Sequence, residues 1–423
     1  MAGMTLTEKI LARESGRDKV APGELVWAKV CSVLLIDMIG KSAFDMFDSL
    51  GVTEVFDKDR IICSTDHLAP APTPQMATLG NKFADAVRSH GINPKHFYDL
   101  GRGGIGHHLM IEQGHVTPGR VAIGTDSHGN TYGAAGAVGN AMSVSDAAVA
   151  MAIGKCWYRV PESVKFVFHG DLQPWVMGKD ISLHIMGMMH WNGHLIYKAL
   201  EYAGPAVSKL DMAARMSISN MTVDLGAKNG IFPIDDVTDR YMQNRCLEPY
   251  ERISSDEDAV YDQVYEIDVT KIEPMVSVPH RLDNVRPVGE VKGTKVNKAF
   301  IGTCTNGRLE DIAVAAEILK NKHVSRDVNF MIVPASQTVF LDAVKAGYVE
   351  TLLNAGVSFE TSSCASCAGI HTGVTGDGDI VISAGNRNMQ GRMGSKNAEI
   401  YLASPAVVAA SALKGQITDP RDL

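Results

Sequence analysis

Short apolar runs alternate with amphipathic segments along the whole chain. VAIGTD at 121–126 reads as a buried strand, 137–154 as a Gly/Ala-rich helix, and SVKFVFHG at 163–170 as a further strand. Apolar strands separated by helix-length segments predict an α/β protein with mixed or parallel sheets covered by helices. A chain of 423 residues is expected to form two or three domains. Composition shifts near 160–163 and across the polar stretch 273–297 divide it into 1–163, 164–285 and 286–423. No repeat of fixed period and no low-complexity segment is present.

The third segment carries the clearest logic. KAFIGT (298–303) is a buried-type strand followed at once by Cys304-Thr305-Asn306-Gly307, with a helix expected from Glu310. NFMIVPAS (329–336) is a second strand, with a helix expected from about Thr338. Open α/β sheets bind ligands beyond the carboxyl ends of their strands, so a cysteine in that position is where chemistry is expected.

Composition narrows the function classes. Hydrophobic residues make up 45% of the chain, enough apolar surface to exclude disorder, and 40 glycines imply many tight turns. A net charge of −8 without a basic run speaks against nucleic-acid binding. The polar start MAGMTLTEKILARESGRD and the lack of any long apolar run predict a soluble, cytoplasmic protein with no membrane association.

Seven cysteines stand at 31, 63, 156, 246, 304, 364 and 367, an odd number that argues against a disulfide framework. The first four read as buried small hydrophobes. Cys364-Ala365-Ser366-Cys367 is a C-x2-C pair, with Cys304 upstream. Alone, the pair is open to three readings: redox-active, a zinc half-site, or incidental. Structural zinc wants four ligands, and no fourth stands at zinc-finger spacing. Three thiolates in strand-end loops suit a [4Fe–4S] cluster with one iron lacking a protein ligand. Such an iron binds a substrate hydroxyl and carboxylate as a Lewis acid.

Further passages extend this pattern: Asp66-His67, GIGHH (104–108), GTDSHGNTYGA (124–134), SNMTVDLGAKNGIFP (219–233), GTCTNGRLED (302–311), SSCASCAG (362–369), GNRNMQGRMG (385–394) and AEIYLASPAVVAASA (398–412). In composition and order they resemble the aconitase superfamily nearly end to end, and the length resembles its separate large subunits of the isopropylmalate isomerase type. The resemblance implies three α/β domains around a shared cleft, lacking the swivelling fourth domain, and one [4Fe–4S] cluster on Cys304, Cys364 and Cys367. It implies a hydro-lyase acting on a hydroxy-dicarboxylate, isopropylmalate first. Homoaconitate, methylmalate or dimethylmalate, and maleate or citraconate chemistry are the alternatives. A small partner subunit carrying the swivelling domain is expected to supply the proton-abstracting serine and a further arginine. The non-enzymatic alternatives are an iron-responsive RNA-binding regulator, against which the acidic charge speaks, and a structural cluster or zinc protein.

By the same resemblance the catalytic set is Asp66, His67, His107, Asp126, His128 and Asp224. His67 is the acid that meets the departing hydroxyl, and His107 is paired with Asp66. An imidazole held by a carboxylate keeps its proton near neutral pH, which suits such an acid. Ser127, Asn220, Asn386, Arg387 and Arg392 are expected to bind substrate, the arginines through bidentate guanidinium–carboxylate pairs. Asn306, with Asn220, is expected to hydrogen-bond the cluster or substrate. His190 and His194 read as packing or helix-face residues.

Four departures from the family pattern stand out. Asp224 replaces the usual glutamate, Ala365-Ser366 the usual Gly-Pro, Ile36-Asp37-Met38-Ile39 a more polar segment, and Gly129-Asn130 the usual Thr-Cys. All are expected near the site and point to a substrate other than isopropylmalate itself.

Overall fold

A computed structural model describes residues 3–190 and 192–423. The chain forms two compact units. The first takes residues up to 100, 106–170 and 195–267; the second takes 101–105, 171–194 and 268–423.

Unit one contains a five-stranded parallel sheet in the order Phe97–Tyr98, Ile61–Ser64, Ser32–Ile36, Val121–Gly124, Val138–Ala141. Its three central strands are buried at every position, as apolar runs without alternation require. Alternate residues still go to opposite faces. Val33, Leu35, Ile61 and Val121 pack with Phe44, Phe47 and Met151, whereas Leu34, Ile36, Ile62 and Ala122 pack with Met110, Tyr132 and Met216. The helix expected over 137–154 is in fact two elements. Val138–Ala141 is the edge strand, and the helix begins only at Val144, where the Ser143 hydroxyl accepts the Asp146 amide N–H.

A second, four-stranded sheet of unit one runs Asn229–Ile231, Ala199–Ala203, Ser163–His169, Gln263–Asp268. Nearby, the fully buried Arg215 on helix Met212–Met221 makes a bidentate pair with Asp235 at 2.8 and 2.6 Å. Its other N–H groups reach the carbonyls of Leu210 and Val207 and the Thr238 hydroxyl. Breaking such a pair from one side strands the partner charge. Arg215→Met is therefore expected to lower the unfolding free energy by about 3 kcal/mol, the low end for a buried pair because Asp235 is partly exposed. A urea midpoint unchanged from the parent would contradict this.

Unit two is built on a seven-stranded sheet in the order Val285–Pro287, Met275–Ser277, Glu399–Ala403, Ile380–Ser383, Lys298–Ile301, Asn329–Ile332, Ser358–Phe359. The last five are mutually parallel, and Met275–Ser277 is antiparallel to both its neighbours. The polar stretch 273–297 thus holds two strands of this sheet. Helices Leu309–Leu319, Gln337–Lys345, Tyr348–Asn354 and Pro405–Lys414 cover the face bearing Ala299, Ile301, Phe330 and Ile332. Phe300, Val381, Ile400 and Leu402 face the other way, against Ala365 and Met393. Helix Gly178–Met189, from the 171–194 segment, packs on strands Met275–Ser277, Val285–Pro287 and Glu399–Ala403. His190 closes that helix at φ +39°, and His194 lies exposed beyond it. All seven cysteines are free thiols; Cys31, Cys63 and Cys156 are buried and Cys246 half-buried. No described helix is long and apolar enough to cross a membrane.

Candidate active site

In unit one the carboxyl ends of adjacent parallel strands deliver the expected side chains. Asp66-His67 follows Ile61–Ser64, Asp126-Ser127-His128 follows Val121–Gly124, and His107 lies in the first turn of helix Gly106–Glu112. Asp66 Oδ1 lies 2.7 Å from His67 Nδ1, and Asp66 Oδ2 accepts the Gly106 N–H at 2.8 Å. Asp126 Oδ2 is the meeting point of two rings, 3.1 Å from His107 Nε2 and 3.9 Å from His67 Nε2. His107 therefore pairs with Asp126, not with Asp66 as expected. Both Asp66 oxygens are already engaged, one by His67 and one by the helix amide beside His107. Burial alone raises the Asp126 carboxyl, but the charge and hydrogen bond of His107, with the charges of His67 and His128, hold it well below the usual range.

His128 Nδ1 lies 3.0 Å from Ser127 Oγ, and its Nε2 lies 3.3 Å from Asp224 Oδ2. The shortened acid at 224 thus reaches this imidazole. Asn220 connects to these rings through Thr131. It is fully buried and donates to Thr131 Oγ1 at 2.9 Å, while Thr131 donates to the His128 carbonyl. The Gly129-Asn130 departure has a packing cause: a Cβ at 129 would stand 2.5 Å from the Asn140 carbonyl carbon, so the edge strand tolerates only glycine there.

Asp37, which the sequence marks only as part of the 36–39 departure, is a further member of this set. It stands directly after the all-buried strand Ser32–Ile36, where Asp66 and Asp126 stand on neighbouring strands. That shared strand-end position was the available signal. Its carboxylate is fully buried and accepts the backbone N–H groups of His67 (3.2 Å) and Leu68 (2.8 Å). Burial first, then the charge on Asp66, push it up to about 7 from its ordinary 3.8. Across that window the native state holds a proton that the unfolded chain has released. Stability therefore falls as pH rises toward 7 and levels off above it. Asp37→Asn is expected to flatten this decline; calorimetric melting of parent and variant across the window measures it.

The cysteines and their neighbours occupy the corresponding ends in unit two. Cys304 follows Lys298–Ile301, Cys364 and Cys367 bracket a turn after Ser358–Phe359, and Asn386-Arg387 follows Ile380–Ser383. Cys304 and Cys364 are buried beside Ile105, with Cys367 half-buried against them. Asn386 bridges two thiols: its Nδ2 lies 3.5 Å from Cys304 Sγ and its Oδ1 3.5 Å from Cys367 Sγ. Arg392 Nη2 donates to Cys367 Sγ at 3.3 Å, and its buried Nε–H has no hydrogen-bond partner among the described residues. Arg387 is half-buried at the start of this loop. Arg308 donates to the carbonyls of Cys304 (2.7 Å) and Thr305 (2.5 Å). Asn306 donates to Asp311 at 2.9 Å, which gives it a framing part in the Cys304 loop.

Two residues beside the cysteines carry left-handed backbone, Thr303 at φ +73° and Ala365 at φ +46°. Glycine adopts this region freely and alanine does not, so Ala365 holds a conformation that glycine would take without strain. Three soft sulfur donors with amide and guanidinium N–H groups aimed at them match the donor set of an iron–sulfur centre.

The aconitase family (aconitate hydratase) profile matches residues 30–415, and the chain belongs to the aconitase family. It is thus a hydro-lyase of a family that typically works with an iron–sulfur cluster. Similar curated proteins are the 3-isopropylmalate dehydratase large subunits of Moorella thermoacetica (42% identical, covering 100% of this chain and 99% of the relative) and Halothermothrix orenii (42%, all of both chains). That of Caldicellulosiruptor bescii is 41% identical over 99% of this chain and 97% of its own. Among solved structures, holo-form aconitase X of Thermococcus kodakaraensis has a TM-score of 0.50 at 12% identity, covering 90% of this chain and 89% of that one. At that identity it supports the fold alone, the α/β aconitase-like architecture expected from the sequence.

Proposed function

We propose that the chain is the large subunit of a [4Fe–4S] 3-isopropylmalate dehydratase, acting with a small subunit that carries the swivelling domain. The end-to-end similarity at 42% identity to proteins of that name carries the reading and favours isopropylmalate over the different substrate that the four departures suggested. The five-, four- and seven-stranded sheets are proposed as cores of three domains, 1–163, 164–285 and 286–423, with strand Met275–Ser277 crossing over from the second to complete the third.

Cys304, Cys364 and Cys367 would hold the cluster, which when bound supplies a Lewis-acidic iron without a protein ligand. The remaining chemistry belongs to side chains. Asp66 takes the Nδ1 side of His67, which leaves Nε2 as the proton-delivering atom toward a departing hydroxyl. Asp126, held ionised, lies against the Nε2 atoms of His107 and His67 and helps to orient both rings. Arg387 and Arg392 bind the substrate carboxylates, Arg392 through its unpartnered Nε–H. Ser127 and Asn220 support the same substrate, Asn220 through Thr131.

The test is anaerobic reconstitution of the chain with and without its co-expressed small subunit, followed by turnover of isopropylmalate, maleate, citraconate and dimethylmaleate. Turnover of isopropylmalate by the pair alone, at about four irons per large subunit, is expected. Preference for one of the other acids would move the substrate assignment within the same chemistry, and one bound zinc with no turnover would end it.

A further inference from the structure

Lys179 is a fully buried lysine that no part of the chemistry above uses. It lies in the first turn of helix Gly178–Met189, and its ammonium donates to the carbonyl of Gly385. Gly385 immediately precedes Asn386, the residue whose amide touches both Cys304 and Cys367. The loop is tied at its far side as well, where Asn388 Nδ2 donates to Ser277 Oγ and to the Val278 carbonyl, both at 3.1 Å.

The base from which Lys179 reaches is itself fixed. The neighbouring Asp180 accepts the Met177 N–H through one oxygen and the Met275 N–H through the other, each at 2.8 Å. The first turn of the helix is thus clamped to strand Met275–Ser277, the strand whose last residue receives Asn388. One strand and one helix end therefore hold both margins of the 385–388 loop. Burying an ammonium is costly unless it is well bonded. A methylene stem ending on a backbone carbonyl is a rigid way to set one peptide plane, and that plane sets the direction in which the Asn386 side chain leaves.

We propose that Lys179 is a positioning residue for the cysteine site: its ammonium fixes the Gly385 peptide so that Asn386 bridges two thiolates and Arg387 is presented to a substrate carboxylate. The proposal rests on the reading under Proposed function.

It is tested on the reconstituted two-subunit enzyme with Lys179→Met, which keeps the stem and removes the donor, and Lys179→Gln, which restores an N–H donor one bond shorter. Lys179→Met is expected to raise KM for the hydroxy-dicarboxylate about tenfold with kcat within about threefold, the signature of lost uniform binding. It is also expected to shift the electron paramagnetic resonance g-values of the reduced cluster as the Asn386 contacts loosen. Lys179→Gln should return both KM and g-values most of the way to the parent's. Parental KM and g-values in Lys179→Met would overturn the proposal. So would a folded Lys179→Gln as impaired as Lys179→Met, which would assign the effect to charge. Loss of cooperative melting in both variants would assign Lys179 to general stability and also reject it. A parent that binds no cluster and turns over nothing would instead reject the functional reading, a separate result.

Discussion

Serine at position 304, 364 or 367 is expected to leave a folded chain that no longer assembles its cluster and has lost at least about a thousandfold in kcat/KM. The substitution is nearly isosteric, so packing around the two buried positions changes little. What changes is the donor: a hydroxyl stays protonated near neutral pH and is a harder ligand than thiolate for iron. Iron per chain and visible absorption after anaerobic reconstitution read the effect directly, and circular dichroism checks the fold. Serine at Cys31 or Cys63 is the control. These thiols are buried, Cys31 just ahead of strand Ser32–Ile36 and Cys63 within Ile61–Ser64, and burial pushes both up, most strongly at Cys63, so neither supplies a thiolate. A Cys364→Ser chain with the parent's iron content would remove the cysteines from the mechanism.

His67→Asn is expected to lower kcat by about a hundredfold to ten-thousandfold with little change in KM, the range for a lost general acid. Asparagine keeps the backbone N–H that Asp37 accepts, so the loop after strand Ile61–Ser64 has no reason to move. His107, in contact with the same Asp126 oxygen, cannot substitute for it, because that ring is also held by the Tyr132 hydroxyl at 3.1 Å. Single-turnover measurements on the cluster-loaded pair separate chemistry from product release. A large rise in KM at parental kcat would make His67 a binding residue instead.

Much of the site was legible because strand ends are local. An apolar run followed by Cys-Thr-Asn-Gly, Asp-His or Asp-Ser-His announces both the strand and the residue that its carboxyl end displays. Pairing was less legible. Which carboxylate His107 meets depends on Asp66 being occupied by the Gly106 amide, a contact with no sequence signature. The strand at 138–141 was hidden for a different reason. Small residues suit a helix and a close-packed edge strand alike, and only Ser143 marks the break. Lys179 was invisible for the opposite cause: its partner lies more than two hundred residues away, and a lysine in a helix first turn ordinarily reads as solvated.

The chain changes units at 100/101, 105/106, 170/171, 194/195 and 267/268. Helix Gly178–Met189 leaves the ribosome early, yet one strand it packs on, Glu399–Ala403, is among the last to be made. Nascent chains therefore carry this helix without its sheet until strands Met275–Ser277 and Val285–Pro287 are made, and its cover is completed only near the end of synthesis. A cut between 194 and 268 would put helix Gly178–Met189 and the strands that cover it on separate polypeptides, so the seven-stranded unit could form only by association of the two halves.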